Sequence, residues 1–267
     1  MCRVYGVTRD GFNAWKRRGR SQRRQEDEAL YEKIRSVFHE SGGIYGSPKI
    51  TEQLKAKGYR ISKKRVARLM QENGLVARRA TIYRKKPRQY YTITAAPMLD
   101  IGFLANAPDK VWVGDITYLR VDGEWCYLAV VMDKFSRRIV GWSLGRERTA
   151  HLAWLAFQKA LERRKPGSEL VFHTDRGIEY RANEFANRLA RRGIRQSMNR
   201  PGKMNDNAFM ESFFANFKAE RIHKRQEFRT EQSLRNVIAE YVDFYNNRRS
   251  HSSVGYLTPA EFERRHG

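Results

Sequence analysis

The run KVWVGDITYLRVDGEWCYLAVVMDKFSRRIVGWSLG (110–145) decides the fold class of this chain. Its β-branched and aromatic residues predict three strands, over 110–121, 124–135 and 137–145. The Asp-Gly pair between the first two is typical of a tight hairpin turn. We therefore expect an antiparallel meander that opens an α/β domain.

The residues after the meander alternate between helix and strand patterns. Thr149 is expected to cap a helix that ends at Pro166-Gly167, and SELVFHTDRG (168–177) reads as a buried strand. The order of elements is βββαβαβα, which is the order of the ribonuclease H-like fold. The prediction is thus a mixed five-stranded sheet with flanking helices. Its remaining elements are a helix over 181–193, a strand over 194–198, a helix over 205–221 and a long helix over about 230–249.

Three acids occupy telling places in this domain. Asp115 lies in the middle of the first strand among apolar residues, Asp175 ends the buried strand, and Glu211 lies on a helix that begins near Asn205. Cleavage or transfer of a phosphodiester uses two divalent cations about 3.5–4 Å apart. Mg²⁺ prefers such hard oxygen ligands. Because two neighbouring carboxylates repel each other, a cation is expected between them.

Each acid also has an ordinary structural interpretation. Asp115 fits a strand-edge or salt-bridged aspartate, Asp175 fits a turn residue, and Glu211 fits a solvated helix charge. Taken singly, none of the three identifies a catalytic site. The combination on one predicted sheet and its adjacent helix favours one.

The segment 26–75 predicts three short helices of a helix-turn-helix domain. Ser47 is expected to cap the second helix, with Pro48 at its first position, and Ser62 to cap the third. Such a third helix would enter a DNA groove, although a plain three-helix bundle with a charged face fits the pattern as well. The outward-facing cations of the third helix are the candidate DNA contacts: Lys63, Lys64, Arg65 and Arg68.

The charge of the chain points to a polyanionic partner. Lys and Arg number 53 and Asp and Glu 29, a net charge of +24, of which +15 falls within residues 1–105. Nucleic acid is the first candidate and an anionic membrane the weakest, because no basic helix carries a continuous apolar face. Two distant cysteines exclude a metal cluster or a disulfide framework. The cations expected in a basic linker over 76–108 are Arg84, Lys85 and Lys86.

The motifs together resemble a known family. WVGDITYL, FHTDRGIEY and NDNAFMESFFANFKAE are similar to the three acidic motifs of bacterial insertion-sequence transposases of the IS-three family, in their second-reading-frame product with a retroviral-integrase-like core. The 35 residues between Asp175 and Glu211 match the spacing of its aspartate-aspartate-glutamate signature. GIYGSPKITEQLKAKGYRISKKRVARLMQENGL resembles its helix-turn-helix segment, and YNNRRSHSSVGYLTPAEF (245–262) its C-terminal motif.

The resemblance implies residue roles. Asp115, Asp175 and Glu211 would hold two Mg²⁺ ions, or two Mn²⁺ ions in their place. Lys218 lies two helical turns after Glu211 on the same face, where the family carries a basic residue that contacts the transposon end. An exposed helix lysine fits Lys218 equally well, and Asn207 fits either a DNA contact or a helix cap. His173 is expected to pack behind the acids rather than bind metal.

The resemblance also implies partners and a place of action. Terminal inverted repeats and target DNA would be the substrates, held by at least a dimer in the bacterial cytoplasm at the nucleoid. A first-reading-frame protein would act as partner or fusion, and its leucine zipper is not expected in this chain because apolar heptads are missing at the start. The expected domains are a basic segment (1–25), the helix-turn-helix domain (26–75), the linker (76–108), the catalytic core (109–225) and a C-terminal helical segment (226–267).

The sequence and the resemblance together favour a metal-dependent DNA strand transferase. Two rivals stay open on the sequence. A DNA-binding regulator would use the α/β domain for dimerisation, and a structure-selective nuclease on the same fold would hydrolyse DNA instead of joining it.

Overall fold

Two compact units make up the chain. The computed structural model describes residues 6–17, 21–78, 105–199, 208–222 and 228–267. The first unit extends to Arg78 and the second begins at Arg79. Each unit has its own buried side chains.

The first unit consists of helices. Helices α2, α3 and α4 pack through apolar side chains at helical spacing, as the sequence predicts. Ser21 and Ser62 cap α2 and α4 by accepting the amides of Arg24 and Arg65. The four helices are α1 (Arg9–Arg17), α2 (Gln22–Glu40), α3 (Ser47–Ala56) and α4 (Lys63–Glu72).

The predicted cap of α3 is wrong. Gly46 takes the N-cap position in extended backbone, without a side-chain hydrogen bond, and Ser47 is the first helical residue. The Ser47 carbonyl accepts a bond of 2.6 Å from the Thr51 hydroxyl inside the helix. Glycine is accepted at an N-cap, because without a side chain it leaves the free amides of the first helical turn open to water. A serine side chain is therefore not needed to cap this helix.

The second unit is built on a mixed sheet of five strands in the order β3-β2-β1-β4-β5. β1, β2 and β3 form the predicted antiparallel meander, and β1 pairs with β4 and β4 with β5 in parallel. Asp122 and Gly123 both have positive φ, at 51° and 76°, as a tight primed turn requires. The strands are β1 (Val111–Val121), β2 (Glu124–Asp133), β3 (Ile139–Gly145), β4 (Val171–Thr174) and β5 (Arg195–Met198).

One face of the sheet is covered by helix α5 (Ala150–Arg164). The rings of Trp112, Phe157 and Phe172 meet there, with centroids 5.7 and 4.5 Å apart. Gly141 lets the helix backbone come close, since a Cβ on it would lie 2.3 Å from the Ala156 carbonyl oxygen. This tight packing fixes β1 and β4, the two strands that carry the candidate aspartates.

Between β4 and β5 the structure departs from the single helix predicted over 181–193. It has a short helix α6 (Ile178–Arg181) and a separate helix α7 (Asn183–Ala190). The break falls at Ala182, whose φ of −58° and ψ of 131° are not helical. The turn allows Tyr180 and Phe185 to enter the same apolar core, with ring centroids 5.5 Å apart.

The C-terminal part of the chain belongs to the second unit. Helix α8 (Ala208–Arg221) packs on β1 and on helix α9 (Glu231–Asn247), and a short 3₁₀ turn (Ser252–Val254) and helix α10 (Pro259–His266) follow. The Asn246 side chain bonds both the amide and the carbonyl of Ile139, which fastens α9 to β3. Within the described residues, no helix combines the length and the apolar character that crossing a membrane requires.

Candidate active site

The sheet register brings two of the candidate acids together. The last parallel pair between β1 and β4 is Gly114 with Thr174. Asp115 and Asp175 each follow by one residue, so they occupy neighbouring positions at the point where β4 ends. Residues in register on adjacent strands point to the same face of a sheet. The two carboxyl groups therefore share one face and one edge.

Backbone amides hold both carboxylates. Asp115 Oδ1 accepts the amide of Ile116 at 2.7 Å, and Asp175 Oδ1 accepts the amide of Gly177 at 2.9 Å. Both aspartates are half-buried. Gly177 has no room for a side chain, because a Cβ would lie 2.6 Å from Glu179 Oε2 and 2.9 Å from Asp175 Oδ1. The pair is thus set in place by main-chain geometry.

Tyr180 forms the buried wall behind these acids. Its side chain is 2% exposed and packs against Phe172 and Phe185. Burial raises the pKa of Tyr180 well above 10, and the negative charges of Asp115 and Asp175 raise it further. The phenol therefore stays neutral.

Glu211 lies on α8, whose direction is fixed by two contacts. Near the start of α8, the Phe209 ring stacks on Arg137, 3.3 Å from the guanidinium carbon, next to the end of β2. Further along, Lys218 Nζ lies 4.4 Å from the centre of the Tyr118 ring. α8 therefore runs parallel to β1, and Glu211 lies beside the part of β1 that contains Asp115. Its side chain is exposed.

The donor set suits a divalent cation, but the three acids do not form a closed cluster. Carboxylate oxygens are the ligands that Mg²⁺ prefers. Among the residues that the structure describes, no three His, Cys, Asp or Glu side chains stand close enough together to hold one metal ion. The carboxylates of Asp115 and Asp175 suit a divalent cation as a pair. Glu211 lies near the start of α8, on the part of the helix beside Asp115, but it does not form a three-acid cluster with the two aspartates.

A further acid beside this pair was not found from the sequence. Glu179 is 3% exposed, and its carboxylate pairs with Arg148 at 2.5 Å. It stands four residues after Asp175 in FHTDRGIEY. A glutamate one turn after a strand carries no pattern of its own, so its burial is revealed only by the fold.

His173 has the supporting place that the sequence predicts. His173 lies on β4, between β1 and β5, and its ring is buried, with Nδ1 3.0 Å from the Ser197 hydroxyl and Nε2 2.7 Å from Asn199 Oδ1. Arg176 also reaches this loop, donating to the Asn199 carbonyl at 2.8 Å. These bonds tie the end of β4 to the end of β5 and steady the loop that carries Asp175.

The candidate DNA-binding residues of the first unit divide into two kinds. Lys63 and Lys64 are exposed at the start of α4, as expected. Arg65 and Arg68 do not simply face outward, because both donate to Asp27 on α2, at 2.7 and 2.6 Å. In the second unit, Lys218 lies on Tyr118. Four further candidates lie outside the described residues: Asn207, Arg84, Lys85 and Lys86.

Comparison with protein families agrees with this arrangement. Residues 25–86 match an HTH-like domain, and residues 105–204 and 192–259 match two models of an integrase core domain. Among solved structures, the HTLV-2 integrase catalytic core domain, determined in complex with magnesium, is similar at 18% identity with a TM-score of 0.44. That similarity covers 59% of this chain and 97% of the viral domain.

Two curated relatives extend over nearly the whole chain. Transposase InsF for insertion sequence IS3A of Escherichia coli K12 is 40% identical and covers 98% of this chain and 92% of the relative. The transposase for insertion sequence element IS904 of Lactococcus lactis is 37% identical and covers 91% of this chain and 97% of the relative. The chain belongs to the family of these insertion-sequence transposases, the IS3 (IS-three) family, with an integrase core and an HTH-like domain.

Proposed function

We propose that Asp115, Asp175 and Glu211 are the catalytic acids of a DNA strand transferase. The observation that carries the proposal is the register of β1 and β4, which sets the two aspartates side by side while α8 runs parallel to β1 with Glu211 on it. The fold thereby supplies three carboxylates at one edge of a sheet. In a family of transposases, that edge is where a phosphodiester would bind.

The acids would hold two Mg²⁺ ions, or Mn²⁺ in their place. Bound there, the ions supply a polarised phosphate and an activated attacking oxygen. Asp115 and Asp175 are already oriented by the amides of Ile116 and Gly177. Glu211 is the third proposed ligand and is exposed on α8, the helix that packs on β1.

The reaction proposed for this site is cleavage at an insertion-sequence end followed by attack of the freed 3′-hydroxyl on target DNA. Terminal inverted repeats and target DNA are the substrates, and two ends must be held together, so at least a dimer acts on DNA. Lys63 and Lys64 of α4 are exposed and carry positive charge toward a phosphate backbone. A first-reading-frame protein is the proposed further partner.

The test replaces each acid by its amide. Asp115→Asn, Asp175→Asn and Glu211→Gln should each lower Mg²⁺-dependent strand transfer by about 1,000-fold or more, since an amide is neutral and a poor ligand for a hard cation. Binding of the same DNA, measured by fluorescence anisotropy, should change less than about threefold. Glu184→Gln, on the exposed surface of α7, is the matched control and should retain activity.

The products separate the remaining alternatives. On a pre-nicked end with a free 3′-hydroxyl, a strand transferase gives joined DNA, whereas a nuclease gives hydrolysed DNA alone. Undiminished strand transfer in any of the three amide variants would contradict the assignment of that acid. DNA binding without cleavage under Mg²⁺ or Mn²⁺, with the partner protein present, would favour a regulator.

A further inference from the structure

Two large aromatic side chains project from the second unit into solvent. Tyr118 is 58% exposed and Trp125 is 45% exposed. Their rings touch edge to face, with centroids 5.1 Å apart at 89°. The hairpin register explains the pair, because Arg120 lies directly opposite Trp125 and Tyr118 precedes Arg120 by two residues on the same face. A contiguous exposed apolar patch marks a binding surface, whereas single exposed apolar side chains are ordinary.

Each ring carries a cation. Arg120 lies over Trp125, with its guanidinium carbon 4.6 Å from the ring centre, and Lys218 Nζ lies 4.4 Å from the centre of Tyr118. Tyr118, Arg120, Trp125 and Lys218 are called the aromatic platform below. The acid nearest in sequence, Glu124, pairs with Val121 and so points to the opposite face of the hairpin. The platform is therefore cationic on its own face.

The platform adjoins the proposed active site. Tyr118 follows Asp115 by three residues, so their side chains leave opposite faces of β1, and the connection between the platform and the acids runs through α8. Lys218 follows Glu211 by seven residues, about 10 Å along a helix. β4 pairs with β1 only as far as Gly114, Phe228 pairs with β1 at Val121, and α8 packs on the same strand. A DNA end that binds at Glu211 and runs along α8 would pass Lys218 and the platform.

We propose that the aromatic platform stacks an unpaired nucleotide of the DNA end next to the scissile phosphate. An aromatic ring binds a base through its face. Inside a duplex both faces of a base are covered by its neighbours, so a nucleotide beside an internal scissile phosphate can stack on the platform only when it is unpaired. Arg120 and Lys218 neutralise the flanking phosphates. The inference rests on the proposed function for its substrate, but its binding step requires neither metal nor cleavage.

The experiment places 2-aminopurine, a base whose fluorescence falls on stacking, at the last position of a DNA end. One duplex has its last three pairs mismatched and the other is fully paired, and both are titrated with the full chain in EDTA. We expect quenching and tighter binding with the unpaired end. Tyr118→Leu and Trp125→Leu should remove the quenching and weaken that binding by about 5- to 150-fold, which corresponds to the loss of one stacked base.

Three variants serve as controls. Tyr118→Phe keeps the ring and should bind like the wild type. Trp142→Leu makes the same replacement on edge strand β3, where Lys159 covers the ring at 5.7 Å, and should leave binding and quenching unchanged. Binding of the fully paired end should change less than twofold in every variant. Circular dichroism establishes that each variant is folded.

The outcomes distinguish this inference from the proposed function. Equal quenching of paired and unpaired ends by the wild type, or full quenching in the leucine variants, overturns the platform whether or not the enzyme is active. If the leucine variants instead dissociate a dimer in sedimentation while DNA binding is unaffected, the surface is a protein interface and the inference is likewise wrong. If the Asp115→Asn variant loses strand transfer but still quenches the fluorescence, the result supports both the catalytic role of Asp115 and base stacking by the platform.

Discussion

Helix α8 carries two glutamates, nine residues apart, in opposite surroundings. Glu211, near its start, is exposed beside the candidate aspartates, whereas Glu220, near its end, is 3% exposed. The first is placed for a ligand and the second for the fold. The contrast shows how one helix can carry an exposed acid for ligand binding. The buried acid Glu220 anchors the helix, which leaves Glu211 exposed near the aspartates.

The buried end of α8 is held by a polar cluster, called the Glu220 latch below. Arg249 donates from Nη2 to Glu220 Oε1 at 2.6 Å and from Nε to both carboxylate oxygens, and Tyr241 donates its hydroxyl to Oε2 at 2.9 Å. Arg249 itself is 6% exposed, and its Nη1 lies 3.3 Å from His251 Nδ1. Burial and the adjacent carboxylate raise the pKa of Tyr241, so its hydroxyl remains a donor.

The latch joins three segments that are distant in sequence. Glu220 is on α8, Tyr241 on α9, and Arg249 and His251 lie in the motif after α9. The phenylalanines of α8 also pack on Tyr241 and Tyr245, so the C-terminal segment holds α8 along its length as well as at the latch.

The largest expected effect comes from breaking the latch. Glu220→Gln leaves the buried guanidinium without its counter-charge and should lower the free energy of unfolding by about 3–5 kcal/mol. Glu211→Gln is the matched control, with the same substitution on the same helix, and should change stability by less than about 0.5 kcal/mol. Urea unfolding followed by circular dichroism measures both. Equal stabilities would mean that the two ends of α8 do not differ as the structure shows.

A paired replacement sharpens this result. Removing both charges with Glu220→Leu and Arg249→Met should recover much of the lost stability, because an apolar pair of similar volume has no desolvation cost. If the latch also positions α8, strand transfer by the double variant should remain below wild type despite the recovered stability. Full recovery of both would limit the latch to a purely stabilising role.

Asp133 offers an intermediate case, an acid buried without the ion pair of the latch. It accepts the amides of Asp109, Phe135 and Ser136, yet burial raises its pKa to about 6. Because this pKa lies above the unfolded value of 3.8, protonated Asp133 contributes to the free energy of unfolding below about pH 4. That contribution is lost as the pH rises through 6. Stability should therefore fall by up to about 3 kcal/mol between pH 4 and 7.

The control for Asp133 is its amide. Asp133→Asn cannot ionise, so the difference in unfolding free energy between wild type and variant should change with pH over this window and level off above about pH 7. Measurements at constant ionic strength keep the other charges of the basic chain comparable. A difference that stays constant between pH 4 and 7 would show that Asp133 is already charged when buried.

Much of this fold follows from local patterns in the sequence. The meander, its hairpin turn, the helices of the first unit and the position of Asp115 within a strand all come from periodicity and capping, which act over a few residues. The site residues could be proposed because their spacing matches a family. The parallel register that brings Asp115 to Asp175 depends on α5 crossing the sheet, which the βαβ order alone implies.

The remaining features depend on contacts between distant segments. Glu220 and Arg249 are 29 residues apart, and Glu179 and Arg148 are 31 apart, with no shared pattern to pair them. The outward direction expected for Arg65 and Arg68 fails for the same reason, because their partner Asp27 lies on another helix. A helical period indicates which side chains are polar, but it does not show which acid they will meet.

Asp27 supplies the smallest effect and tests what an arginine-paired acid does near the surface. Hydrogen bonds from Arg68 and Arg65 lower its pKa, so its contribution to stability is present above pH 4 and disappears as pH falls further. Because these arginines are partly exposed, Asp27→Asn should lower the free energy of unfolding by only about 0.5–1 kcal/mol near pH 7 and should not change it near pH 2.

Arg65→Gln tests whether Arg65 contacts DNA or only stabilises the first unit. A phosphate contact would reduce the salt dependence of DNA binding by about one unit of slope, whereas a purely structural arginine would lower stability and leave that slope unchanged.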